Sequence, residues 1–441
     1  MTSQLILGNG HGLAIASDSA ATYGDRTYED ATKIRGLKDP HRVAILQAGG
    51  VNLLGMPVSV LMNEWEETLG GARMSLEGYR DSFLSWLGHN LGKWTTQAAM
   101  DDKAYDALKN ELKRLRRGNL LVLRGGVEEV LMGGVEGVLA TVPDEEHQDA
   151  VLRVIQERSE WVADCTVFDS ALPPLADRLF SRLGSRSQED SWTPESLIDY
   201  WFEGLPRSEQ IDRALHEYFR LMVGRHSGIT GGHGIILTFA GYGSGDLLPT
   251  VASVIIRGAM ENHIARSDEE AAPARKVADG RFALWKSVAQ DQTIRLIIYG
   301  HNRDLMAHGI DLELGPVPVL PVDEAEAKGN PRVAVEAALD PDLAEDTTDR
   351  DAIEQWTELR QLGEKFVERA DALSHRNYWK FMNTIARLEM KSLTDTTRSL
   401  IAVEALGKDL QGYPPTVGGH IDVATITLRD GFKWVRDGFT G

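Results

Sequence analysis

Apolar residues in the first fifty positions come in short blocks parted by glycine-rich turns. Leu5-Ile6-Leu7 and Leu13-Ala14-Ile15-Ala16 flank Gly8-Asn9-Gly10-His11-Gly12, which predicts a hairpin. A second pair of strands, Lys33-Ile34 and Arg42–Gln47, ends at Ala48-Gly49-Gly50. From Leu53 the period changes: Leu53, Leu54, Val58, Leu61, Met62 and Trp65 recur at helical spacing through Gly70. Positions 73–223 read as mainly helical, with breaks near Gly118, Pro143 and Pro173-Pro174. The glycine-rich stretch Gly224–Gly234 returns the chain to strands at Ile235–Ala240 and Val251–Ile256, and Ile294–Tyr299 is a further strand candidate. Residues 316–352 combine prolines with the acidic run Asp340–Asp351 and predict a linker or surface excursion. Helices at about 353–373 and 377–411 then lead to closing strands at Ile421–Leu428 and Phe432–Val435. There is no internal repeat. Strands, helices, strands, then helices and strands fit a layered sheet sandwich covered by helices, and not a regular βαβ alternation.

A chain of 441 residues with 42% hydrophobic and 26% charged positions can bury a sizeable core, as one elaborated domain or two. The net charge of −19 and the lack of a basic stripe exclude nucleic acid as the expected partner. The cluster Lys113-Arg114-Leu115-Arg116-Arg117 reads as a solvated helix end, where cations complement the dipole. The N-terminus lacks a basic region followed by an apolar one, and no apolar run nears about 20 residues. A cytoplasmic protein without a membrane partner is expected.

Cys165 is the only cysteine, so no disulfide framework or thiolate zinc site is expected, and a structural thiol is the default. His226 and His233 flank the glycine-rich loop, and His301 and His308 lie seven positions apart. No carboxylate or cysteine completes a metal pattern around them, so no metal or cofactor is expected. Gly8–Gly12 is not followed by the Lys-Ser/Thr of a phosphate loop, and the hairpin turn accounts for it.

The richest chemistry lies at the start. Thr2 comes directly after Met1, and removal of Met1 would expose a threonine carrying both a hydroxyl and a free α-amine. An α-amine titrates near pH ~8 and can take the hydroxyl proton, so the residue is a nucleophile with its own base.

The segment opened by Thr2 resembles the β-type subunits of the proteasome and their bacterial relatives, the threonine peptidases of the N-terminal-nucleophile hydrolase superfamily. The family pattern Gly-x-x-x-Ala-[Thr/Ser]-Asp-Ser-x-x-Thr is met by Gly12-Leu-Ala-Ile-Ala16-Ser17-Asp18-Ser19-Ala-Ala-Thr22, with the family's separation between Thr2 and Asp18. The family's Lys-Ile pair is Lys33-Ile34, and its Ala-Gly turn before the first long helix is Ala48-Gly49. Further on, Thr238–Tyr242 with Pro249–Ala252 resembles the central hairpin, and Thr416–Val423 the closing strand. The likeness is specific over about 2–70, coarser over 234–256 and 380–436, and absent elsewhere.

The resemblance implies an α+β fold: a four-layer αββα sandwich of the N-terminal-nucleophile hydrolase type with a large helical insertion. Its parts would be 2–72 for the N-terminal part of the core, 73–233 for the insertion, and 234–315 for the central strands. Residues 316–352 would be the acidic excursion, and 353–441 the C-terminal helices and closing strands. It implies that Thr2 attacks a peptide or amide carbonyl, that Lys33 favours the developing charge, and that Asp18 holds the Lys33 ammonium. The Gly49 N–H would stabilise the oxyanion. Thr22 and Val51 would pair by their backbones with an extended substrate, and Ala31, Arg35, Gln47 and Val51 would border its side-chain pocket. The family's two supporting serine turns are not reproduced at Tyr299-Gly300-His301-Asn302 or Pro415-Thr416-Val417-Gly418, which leaves Ser19 and His301 as candidate supporting groups. A peptide or protein substrate and self-association, with a ring among the expected assemblies, are implied by the same resemblance. The rivals are a non-catalytic structural or binding subunit of the same fold, and a small-molecule amidase closed by the insertion.

Overall fold

Both N-terminal apolar blocks are strands, β1 (Ser3–Asn9) and β2 (Gly12–Asp18), and every residue in them is buried. Burial on both faces explains their unbroken apolar runs, where a half-exposed strand would alternate. The turn between them is tight, with Asn9 opposite Gly12. Gly12 takes a φ of +153°, and a Cβ there would lie 2.5 Å from the carbonyl oxygen of Ile426. Only glycine fits.

The computed structural model describes residues 2–23, 26–28, 31–117, 120–124, 127–131, 134–139, 142–143, 146–164, 173–184, 194–225, 234–261, 263–269, 271–300, 369, 372–410 and 417–435. The fold is mixed α/β with antiparallel sheets. Two small hairpins come after β2 and β6: β3 (Ala21–Tyr23) with β4 (Arg26–Tyr28), and β7 (Asn52–Leu53) with β8 (Met56–Pro57). The second sheet is built on β5 (Ile34–Gly36) and β6 (Arg42–Gly49), continued by β11 (Ile235–Tyr242), β12 (Thr250–Met260) and β13 (His263–Asp268). A short β14 (Ala272–Pro273) adds to β12. In the first sheet, β15 (Arg275–Lys276) and β16 (Phe282–Ala289) flank β1, while β17 (Ile421–Thr427) and β18 (Gly431–Trp434) flank β2.

Ile6, Leu13, Ile15 and Ile426 of the first sheet share a core with Ile34, Leu46, Ala240 and Val251 of the second. The other face of the second sheet, through Val43, Ile45, Leu237 and Phe239, packs on helices α1 (Val58–Glu66) and α2 (Leu76–Asn90). Trp65 is wholly buried there, edge-on to Phe83 at 5.3 Å and to Phe239 at 6.2 Å. A fully buried side chain of this kind contributes about 1.5–3 kcal/mol.

The helices that share a core of their own begin at α3 (Gln97–Arg117) and run through α4 (Val135–Leu139), α5 (His147–Asp164), α6 (Pro173–Gly184), α7 (Pro194–Trp201) and α8 (Glu209–Arg225). Leu112, Val151, Leu179, Leu215 and Phe219 are among its buried residues. The expected break at Pro173 is the start of α6, where a proline lacks only an N–H the helix would not use. Inside this mainly helical stretch lies a hairpin that the periodicity does not announce, β9 (Leu120–Arg124) with β10 (Val127–Leu131).

Two expectations change. Ile294–Tyr299 is not a strand: it belongs to helix α9 (Gln292–Tyr299), with Ile294 and Ile298 buried one turn apart and Leu296 and Ile297 exposed. A short apolar run does not separate the two states. The helix expected over 377–411 is two: α10 (372–385) and α11 (Met390–Leu410). At the break, the buried Asn9 side-chain amide donates to the carbonyls of Ile385 (2.9 Å) and Leu388 (2.8 Å), which a helix end leaves without partners. Helix α11 packs on β1, β2 and β17.

Met1–Asp291 with Ile385–Gly441 forms one compact unit, and Gln292–Thr384 a second. Within the second, Tyr299 stacks on Tyr378 at 5.9 Å and accepts a bond at its carbonyl from Asn377 (3.0 Å). The excursion expected at 316–352 and nearly all of the helix expected at 353–373 lie outside the described residues. Among those described, no helix is long and apolar enough to cross a membrane.

Candidate active site

The β1–β2 hairpin and the entry to β5 bring Asp18 and Lys33 together beside the residue that follows Thr2. Asp18 ends β2, Lys33 immediately precedes β5, and Thr2 immediately precedes β1. One oxygen of Asp18, Oδ1, accepts both the Ser3 backbone N–H (2.9 Å) and the Lys33 ammonium (2.8 Å). The other, Oδ2, accepts the backbone N–H of Gly418 (3.3 Å). Lys33 also donates to the carbonyl of Ala20. The pair is nearly sealed, with side-chain exposures of 8% for Lys33 and 1% for Asp18.

Burial pushes the Lys33 ammonium below the ordinary lysine range, while Asp18, by charge and hydrogen bond, and Asp422, by charge, oppose that shift. A lysine so placed is a cation that sheds its proton more readily than a surface lysine, and its carboxylate partner also binds the residue next to Thr2. Asp422 sits on β17 opposite Ser17, and His420 approaches it at 3.2 Å.

Thr2 is itself buried, and its carbonyl accepts the Gln290 N–H (2.9 Å), extending the β1–β16 ladder past the Ser3–Ala289 pair. Extended backbone alternates its side chains, so Thr2 shares the face of β1 that carries Gln4 and Ile6. Gln4 reaches the site strands from that face, donating to the carbonyl of Gln47 (2.9 Å) and to that of Lys33 (3.5 Å).

Gly49 closes β6 with a φ of +72°, and a Cβ there would collide with the carbonyl oxygen of Gly234. Backbone N–H groups alternate along a strand. The Gln47 N–H bonds Lys33 across to β5, and the Gly50 N–H bonds Gly234 on the opposite side, at 3.1 Å. The Gly49 N–H therefore faces the Lys33 side of β6, beyond the last residue of β5 that pairs there.

The expected substrate residues are more dispersed. Ala31, Arg35, Gln47 and Val51 are all half-buried. Arg35 is turned onto α1, pairing with Glu66 and bonding Asn63, so its charge is already answered by a buried carboxylate. Glu66 also accepts the Lys38 N–H (2.7 Å). The Val51 carbonyl is taken by the Val58 N–H at the start of α1 (2.9 Å). Thr22 lies in β3 opposite Thr27. Ser19 is buried and binds through its backbone, donating to Gly418 (3.2 Å) and accepting from Ala31 (3.0 Å).

Several contributors have little or no signal in the sequence. Gly418 and Asp422 register there only as parts of the closing strand and its turn, and Gln4 not at all. For the supporting turn, Tyr299-Gly300 closes helix α9, and His301, with Asn302, lies outside the described residues, as do His226, His233, His308, Cys165 and Thr416. The segment that pairs with Thr2 is instead Ala289-Gln290, and Ala289 there carries a φ of +65°. Among the described residues no group of three or more His, Cys, Asp or Glu side chains is placed to share a metal ion. Comparison with protein-family models and with curated protein sequences finds no match to this chain.

Proposed function

We propose that the chain is a proteasome-like threonine hydrolase that cleaves peptide or amide bonds with Thr2 once Met1 is removed. The observation that carries this reading is the sharing of Asp18 Oδ1 between Lys33 and the backbone N–H of Ser3, the residue next to Thr2. That arrangement ties the candidate nucleophile's strand to a buried cation. Two facing antiparallel sheets, with α11 on one outer face and α1 and α2 on the other, support the αββα sandwich of the N-terminal-nucleophile hydrolases.

In this reading the Thr2 α-amine, through a water, takes the Oγ proton as Oγ bonds to the substrate carbonyl carbon. The carbonyl π pair moves onto oxygen, where the Gly49 N–H receives it. Collapse of that intermediate expels the amine, which leaves with the proton held on the α-ammonium. Water then attacks the ester on Thr2 and releases the acid. Lys33 lowers the free energy of the developing negative charge, and Asp18 fixes Lys33 in place. Self-association and a cytoplasmic setting accompany this reading.

A second reading has one observation of its own. No serine stands in the Ala289-Gln290-Asp291 segment beside Thr2, which favours a non-catalytic subunit of the same fold. Intact mass of the purified protein, with and without a peptide epoxyketone, separates the two. Loss of Met1 and one adduct on wild type but none on Thr2→Ala is the expected result. Retention of Met1 sinks the hydrolase reading.

A further inference from the structure

We propose that Gln4 is a positioning residue whose Oε1 holds a water beside Thr2, and that this water relays the Thr2 hydroxyl proton to the α-amine. The second half of the proposal rests on the hydrolase reading; the water site itself does not.

Gln4 is fully buried in β1. Its amide orientation is set by its surroundings, because Nε2 faces two carbonyl oxygens, those of Gln47 and Lys33. Reversing the amide would place Oε1 against both of them and lose both bonds. Oε1 is thus turned away from the two carbonyls, and among the described residues it is buried with no hydrogen-bond partner. Native interiors rarely leave such an oxygen unsatisfied, and a buried water is the usual donor.

The neighbours make the place polar. Ser17 stands opposite Gln4 on β2, and Asp422 stands opposite Ser17 on β17, so the three form a row across the sheet. The next row on the same face is Ile6, Ile15 and Ala424, which is apolar. Thr2 is the next residue on that face of β1, on the side away from the apolar row. A water on Oε1 is therefore hemmed by the apolar core on one side and by Thr2 on the other.

The proton path balances. Oε1 accepts a hydrogen bond from the water and gains no proton. The water takes the Oγ proton as Oγ bonds to carbon, and passes one of its own protons to the α-amine, so that water is regenerated and an ammonium results.

The test compares Gln4→Met with Gln4→Glu in the full chain. Both variants lose the two N–H bonds to Gln47 and Lys33, and only Gln4→Met loses the acceptor. A crystal structure of the wild type should show a water within hydrogen-bonding distance of Oε1, and Gln4→Met should lack it. The first-order rate of epoxyketone adduct formation should fall by about 100-fold in Gln4→Met, the low end of the about 10²–10⁴-fold that proton-transfer assistance contributes. Inhibitor affinity before reaction should hold, and Gln4→Glu should recover most of the rate. A protein donor on Oε1, or no water there in the wild type, overturns the proposal. Equal rate losses in both variants overturn the relay and leave Gln4 a structural residue. If wild type forms no adduct at all, the hydrolase reading and the relay fail together, while the crystal still decides the water site.

Discussion

The paired sheets and the helices α3–α8 belong to one compact unit, yet they handle polar groups in opposite ways. In the sheets, several polar side chains lie deep and are held by backbone: Asp18 by the N–H groups of Ser3 and Gly418, the Gln4 side-chain N–H by two carbonyls, the Asn9 amide by two more. In the helices the core is apolar apart from inclusions such as Glu111 with Tyr218 (2.8 Å), and many of the ions stand at the margin. Arg182 of α6 forks onto Asp101 of α3 and reaches Glu261 beyond β12, while Arg178 grips the same Glu261. A backbone-bound polar cluster fixes positions to fractions of an ångström at a cost in stability; an apolar core with a charged margin does the reverse. The sheets are thus where chemistry is expected, and the helices where stability is.

The largest break in that contrast is Asp18→Ala. It strands the Lys33 ammonium in a nearly sealed site, and removing one member of a buried pair costs about 3–5 kcal/mol. Chemical denaturation should register that loss, and the epoxyketone adduct should disappear. A loss below about 1 kcal/mol would show that Lys33 is far better solvated than its burial indicates.

The matching change in the helices is Arg182→Ala. Asp101 is 3% exposed, and it would still accept from the Gln97 side-chain amide at 2.8 Å. Leaving a buried acceptor short of partners costs about 1–3 kcal/mol. The adduct rate at Thr2 should stay within about twofold, since no residue of the candidate site touches this clamp. A collapse of reactivity with intact folding would make α3–α8 part of the site.

This contrast also explains what is legible in the sequence. Thr2, Asp18, Lys33 and Gly49 lie at the ends of β1, β2, β5 and β6 within the first fifty residues, so their grouping survives in local spacing. Gln4 goes unannounced because β1 is buried on both faces and shows no alternation, which leaves one polar residue in an apolar run without a pattern to mark it. The Gly418–Asp18 bond spans 400 positions and has no local signature. The helical state of Ile294–Tyr299 has a simple cause: a short apolar run suits either a strand or a helix turn, and here Ile294 and Ile298 are buried one turn apart.

A smaller effect arises on acidification, and it sharpens the contrast from the sheet side. His41, between β5 and β6, shares a hydrogen bond of 2.9 Å with the Tyr79 hydroxyl, and burial holds its imidazole below the ordinary value of 6.5, against the pull of Glu66. Arg73 lowers it further and Asp39 opposes. A lowered value in the folded chain means that the unfolded chain takes the proton first as pH falls through 6.5. Stability should therefore drop from pH 7.5 to 5.5, and the drop should be shallower in His41→Gln. Equal slopes by urea denaturation would remove His41 as the cause.

The smallest effect compares two strained residues at strand ends, one beside Thr2 and one in the β12–β13 turn that the helical arginines reach. Ala289 (φ +65°) pairs with Ser3 beside Thr2, and Glu261 (φ +54°) stands at the Arg178–Arg182 clamp; both are non-glycine residues in left-handed backbone. Glycine relieves such strain by about 1–2 kcal/mol but returns about 0.5–1 kcal/mol through the freer unfolded chain. Ala289 makes no side-chain bond to lose, so Ala289→Gly should be neutral or stabilising by up to about 1 kcal/mol. Glu261→Gly gains the same relief but forfeits both arginine contacts, so it should be destabilising overall. Thermal unfolding of the two variants side by side reads the difference in sign. If both stabilise, the arginine clamp contributes less than the strain it holds, and the helices owe their place to apolar packing alone; if both destabilise, left-handed backbone at Ala289 is not strained, and the turn beside Thr2 is held by contacts of the alanine methyl.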